Sequence, residues 1–135
     1  MNLKPESVVA AQEEFLPGQS VVVGGPSHQN AYEAVFEDDG DTGYFYGLDH
    51  DRKPAVLDAL HIYDVLELQS PTKPSTAQIV WSGDGLKVIL LINGDSHAAF
   101  DFSKRRGYCR RDFPKPSGQF SAEGHHWSDE VLKFF

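Results

Sequence analysis

Glu37-Asp38-Asp39-Gly40-Asp41 puts four carboxylates into five positions. Hard cations and basic protein surfaces both seek that residue type. The spacing does not suit calcium: an EF-hand loop begun at Asp39 has Gly43 where an acid is needed and His50 where the bidentate Glu belongs. The stretch reads instead as an acidic hairpin turn that is solvated or faces a partner, with Tyr44 and Tyr46 just beyond it. Carboxylates would orient and speed association, and the tyrosines would supply affinity. Glu37, Asp38, Asp39, Asp41, Tyr44 and Tyr46 are therefore the candidate partner-binding residues.

Six histidines and one cysteine are the other groups able to do chemistry. His125 and His126 are adjacent and would point apart on a strand. His50 lies between Asp49 and Asp51, and His61 lies near Asp58 and Asp64, but no HExxH or HxH spacing occurs. Cys109 follows Lys104, Arg105 and Arg106 and precedes Arg110 and Arg111, cations that would lower a thiol pKa. A small ligand-binding domain or enzyme using His61, His97 or His50 with a nearby Asp and Cys109 is the alternative function. No GxSxG elbow, nucleotide-cradling glycine loop or paired CxxC is present. No catalytic residue, metal or cofactor is assigned on these grounds.

These groups must be positioned by short elements. Gly and Pro divide the chain into apolar runs of strand length. Strands are expected at Val21–Val23, Ala31–Glu37, Thr42–Leu48, residues 55–65, 76–82, Leu86–Ile92 and through Ala98–Phe102. Residues 55–65 fit a helical stripe as well, but Ile62, Tyr63 and Val65 favour a strand. Asn93-Gly94 is a type I′ hairpin signal. Ser128 would cap a short C-terminal helix with Asp129 and Glu130 in its first turn, and Pro114 and Pro116 flank a loop. Residues 1–18 read as a loose arm or a short helix over Ser7–Phe15, and residues 19–135 as a single globular domain. The expected fold is α+β and mainly β: an antiparallel meander of about seven strands, in one twisted sheet or a partly open barrel, with a short C-terminal helix.

The 135 residues suffice for one domain with its own core. Lone Cys109 can form no internal disulfide, and the apolar run Val8–Ala11 is too short for a secretory leader, so a cytoplasmic location is expected. The net charge of −8 is uneven: residues 1–70 carry thirteen acids and three bases, residues 71–135 seven acids and nine bases. This balance opposes nucleic acid and anionic membranes as partners and favours a basic protein. The basic stretch Lys104–Arg111, with Phe102, Tyr108 and Phe113 nearby, is the exception.

Three stretches, Phe36–Tyr46, Leu57–Tyr63 and Phe100–Phe102 with Arg106–Arg110, together resemble an uncharacterised bacterial family, the domain of unknown function 2251, over about residues 20–135. The resemblance implies a small bacterial cytoplasmic protein and brings no catalytic residue. By analogy with small acidic proteins of this kind, the expected function is a protein-binding module, an antitoxin-like immunity protein that neutralises a bacterial toxin by binding a basic domain of that toxin.

Overall fold

A computed structural model describes residues 1–69, 72–110 and 125–135. Nine strands follow in order: β1 (Val8–Phe15), β2 (Val21–Pro26), β3 (Tyr32–Asp38), β4 (Thr42–Asp49), β5 (Val56–Asp64), β6 (Ser75–Trp81), β7 (Lys87–Ile92), β8 (Asp95–Asp101) and β9 (Arg106–Cys109). They form two antiparallel sheets, a five-stranded one ordered β1-β6-β7-β8-β9 and a four-stranded one ordered β2-β3-β4-β5.

This corrects the expected fold. The seven stretches read as strands correspond to β2 through β8, but they are divided into two meanders rather than joined in one sheet. The division falls after β5, where a short 3₁₀ turn, Val65–Glu67, interrupts the hairpin sequence. Local turn signals specify hairpins but do not specify which sheet the next strand joins.

The segment expected as a loose arm or helix is β1, paired antiparallel with β6 from Val8 opposite Trp81 to Phe15 opposite Ser75. Its Gln12, Glu13 and Glu14 are exposed, so it lacks the clean alternation that marks a half-buried strand. Sheet pairing, not local pattern, makes it extended. The short β9 was hidden in the basic run.

The C-terminal segment is also corrected. Ser128 does cap it, accepting from the Glu130 main-chain N–H over 3.3 Å, but the element is a six-residue 3₁₀ helix, Asp129–Phe134. So few residues offer little return on the cost of nucleating an α-helix. The loop expected around Pro114 and Pro116 lies outside the described residues.

The core lies between the sheets. Phe36, Phe45 and Leu60 of the four-stranded sheet pack with Trp81, Leu90 and Phe100 of the five-stranded one. Phe45 and Phe100 stack across the interface with centroids 5.5 Å apart. The Trp81 indole N–H donates to the Gly25 carbonyl over 3.0 Å, tying β6 to β2. Only glycine fits there, because a Cβ on Gly25 would lie 2.6 Å from Ile79 Cγ2. At the β7–β8 hairpin, Asn93 and Gly94 take φ of 53° and 82°, both positive as a type I′ turn requires.

The five-stranded sheet has a second apolar layer. Val80, Ile89, Leu91, Ala99 and Tyr108 on its outer face are covered by Val131 and Phe135. Strand β7 is therefore buried on both sides, which explains its unbroken Val-Ile-Leu-Leu-Ile run.

Candidate functional site

Strand register places the outward side chains of the four-stranded sheet in three cross-strand rows. The first runs Val22, Glu37, Tyr44, His61; the second Gly24, Val35, Tyr46, Ala59; the third Pro26, Glu33, Leu48, Val56. The intervening Ala34, Phe36 and Phe45 are fully buried on the other side. A solvated sheet face is ordinarily polar. This one is mostly aliphatic and aromatic, and it is open: Val22 is 65% and Val56 46% exposed.

Its centre is a pair of half-buried tyrosines. Tyr44 and Tyr46, two residues apart on β4, stack with centroids 5.9 Å apart. The Tyr46 hydroxyl donates to Glu37 Oε1 over 2.9 Å. Burial, followed by the Glu37 carboxylate, pushes the Tyr46 hydroxyl pKa well above its ordinary value. The His61 ring lies 5.7 Å from the Tyr44 ring, and its Nε2 is 2.9 Å from Asp64 Oδ1. These contacts hold the rings in fixed orientations, so little side-chain entropy remains to be lost when a partner covers them.

Carboxylates flank the patch. At one end, the β3–β4 turn carries Asp39 and Asp41, both exposed. Asp39 Oδ1 accepts from the main-chain N–H groups of Asp41 (3.0 Å) and Thr42 (2.9 Å), and those bonds hold its pKa below the ordinary carboxylate value. At the other end, Glu33 Oε1 is 2.6 Å from His50 Nε2, close to Asp49 and Asp51.

The structure thus brings Glu37, Tyr44 and Tyr46 onto one face, with Asp39 and Asp41 in the turn at its end. Asp38 is different. It is fully buried, its Oδ2 accepts from Gly18 N (2.9 Å) and the Tyr63 hydroxyl (2.6 Å), and its Oδ1 accepts from Gly40 N (2.8 Å). It holds two turns and a core tyrosine together and offers nothing to a partner. Val22, Val35, Leu48 and Val56 were missed. Only Leu48 has a signal in the period-two pattern of β4, where Gly43, Phe45 and Gly47 alternate with Tyr44, Tyr46 and Leu48.

Cys109 is 2% exposed, and its thiol donates to the His61 main-chain carbonyl over 3.2 Å, an arrangement suited to a protonated, structural thiol. His50 pairs with Glu33 at the surface. His97 sits at the irregularity of β8 between Leu90 and Leu91 of its partner strand. Burial and then the Arg110 charge lower its pKa. A buried imidazole–carboxylate contact had no sequence signal: His125 Nε2 lies 2.7 Å from Asp58 Oδ2, with His125 fully buried. Among the described residues, no three His, Cys, Asp or Glu side chains are grouped to hold a metal ion. None of their helices is long and apolar enough to cross a membrane.

A protein of Haemophilus influenzae described as uncharacterized is 37% identical to this chain over 109 residues, covering 78% of the chain. The chain spans 66% of that relative's length. No solved structure matches. Residues 15–135, from the last residue of β1 onward, match the family described as an uncharacterized protein conserved in bacteria (DUF2251), and the chain belongs to that family.

Proposed function

We propose that this chain is a protein-binding module whose partner is a basic protein, docked on the outer face of the four-stranded sheet in the manner of an antitoxin-like immunity protein. The observation that carries this reading is the open apolar and aromatic face flanked by carboxylates. Exposed apolar patches rimmed by polar groups are characteristic of protein interaction sites. Two preoriented tyrosines at the centre supply the type of residue that dominates binding energy. The surrounding acids favour a partner bearing Lys and Arg, and they oppose pairing with a second copy of a chain whose net charge is −8. A toxin neutralised by such a module would present its basic surface to this face.

The test is a photo-activated crosslinking residue placed at Val22 or Val56 in the bacterial host, with exposed Gln12 on β1 as control. The proposal expects one basic protein joined from positions 22 and 56 and absent from position 12. That protein should be toxic when expressed alone, and co-expression of this chain should suppress the toxicity. Equal crosslinking at all three positions, crosslinks to a second copy, or an acidic partner would overturn the docking assignment. A basic partner without toxicity would remove only the immunity reading.

A further inference from the structure

On the opposite layer, the outer face of the five-stranded sheet, the charge is reversed. A cleft of about 360 Å³ lies between the β8–β9 turn and the C-terminal 3₁₀ helix, lined by Lys104, Arg106, Tyr108, Ser128 and Lys133 among others. We propose that it binds a phosphate-bearing small molecule.

The cations are gathered by the fold. Arg106 and Tyr108 are two apart on β9 and point to the same side, with the Arg106 guanidinium carbon 4.9 Å above the Tyr108 ring. That stacking holds the planar donor fork in place. Lys104 is exposed in the preceding turn, and Lys133 approaches from the 3₁₀ helix, 3.6 Å from Glu130 across an exposed pair. A second cleft, of about 390 Å³, shares Lys133 and Phe134 with the first and adds Lys4 and Lys87 together with Glu6 and Asp84, the last 2.9 Å from the Lys87 ammonium. The first cleft is the more cationic of the two, with Lys104, Arg106 and Lys133 against Glu130, where the second sets Lys4, Lys87 and Lys133 against Glu6 and Asp84.

Phosphate oxygens suit this lining. Guanidinium and ammonium groups form short charge-assisted hydrogen bonds to them, and the Ser128 hydroxyl adds a neutral donor. Phe134, half-buried at the edge of the cleft, offers aromatic surface to an attached apolar or aromatic group. The volume lies at the lower end of the range for small-ligand sites, roughly 300–1,000 Å³, which favours a small molecule over a polymer. Glu130 is the one lining carboxylate of this cleft, and it opposes the anion.

Inorganic pyrophosphate is the probe, titrated at constant ionic strength against chloride while backbone amide resonances are followed. The expected result is saturable shifts confined to residues 104–108 and 128–134. Affinity should fall about tenfold or more in Lys104→Ala/Lys133→Ala, since each bond to a charged group is worth about a tenfold factor, and should rise in Glu130→Gln. All three residues are exposed, so these variants retain the fold. Shifts scattered over the surface, equal shifts with chloride, or unchanged affinity in the double variant would overturn the proposal. So would binding of a single-stranded RNA oligonucleotide while pyrophosphate leaves the resonances unmoved. Sheet-face variants such as Tyr46→Ala should leave pyrophosphate binding unaltered, so failure here is separable from failure of the docking face.

Discussion

The Tyr63 hydroxyl donates to Asp38 Oδ2 over 2.6 Å, joining an acid of the β3–β4 turn to the end of β5 inside the sandwich. Asp38 is thus a structural acceptor within an otherwise exposed acidic run. Asp38→Asn places an amide N–H against donors that the carboxylate satisfied. It should destabilise the fold by about 2–4 kcal/mol, the scale for disrupting a buried hydrogen-bond network. Asp39→Asn and Asp41→Asn, in contrast, should leave the urea midpoint near the wild-type value. Equal effects from all three would contradict the assignment.

Stability should fall in alkali because of the same tyrosine. Burial and then Asp38 push the Tyr63 hydroxyl pKa far up, and Tyr46 is raised in the same direction. Below about pH 10, the ordinary tyrosine value, both states are protonated and the shift has no effect. Above it, the unfolded chain releases protons that the folded chain retains, and stability is lost as pH rises. Urea unfolding from pH 8 upward should show this decline, shallower in Tyr63→Phe and Tyr46→Phe.

Acid acts through Asp84 in the β6–β7 turn. Burial raises its pKa, but hydrogen bonds from Ser82, Lys87 and the Leu86 N–H outweigh that and bring it from 3.8 to about 2. The contribution is present above pH 3.8 and is lost as pH falls towards 2. Asp84→Asn should lower the midpoint at neutral pH and leave it less sensitive to acid in that window, so that variant and wild type converge as pH falls towards 2.

Most strands were legible because each carries its own turn signal and apolar run. The double burial of β7 could be read from Val88–Ile92, though what covered its second face could not. Sheet membership was not legible: nothing between Asp64 and Ser75 indicates that β6 leaves the first meander and that β1 joins it from the far end of the chain. Those are long-range pairings decided by packing. Tyr44, Tyr46 and Glu37 stand out in the sequence through their types and spacing, and the register places them on one sheet face. Val22, Val35 and Val56 do not stand out, because an exposed valine and a core valine are indistinguishable until the register fixes the face. Asp38 was misassigned for the mirror reason: its two neighbours in sequence, Glu37 and Asp39, are accessible, and strand alternation turns it inward.

The buried pair of His125 and Asp58 joins the segment after β9 to β5. Removing one partner should cost about 3–5 kcal/mol, the scale for stranding a buried charged or polar group. His125→Leu and Asp58→Leu should each be markedly destabilising by calorimetry. The double substitution should cost less than the sum of the two, because it leaves neither group stranded. Additive losses would show that the two side chains are not coupled.

The most direct measurement of the docking surface is the affinity of the crosslinked partner, purified, for wild type and Tyr46→Ala. It should be taken at about 0.1 M and about 1 M salt, between which the screening length falls from about 10 Å to about 3 Å. The expected result is a loss of about 2 kcal/mol or more in Tyr46→Ala, and for the wild type slower association at the higher salt. Unchanged affinity in Tyr46→Ala, with association indifferent to salt, would contradict the claim that this face of the four-stranded sheet binds a basic protein.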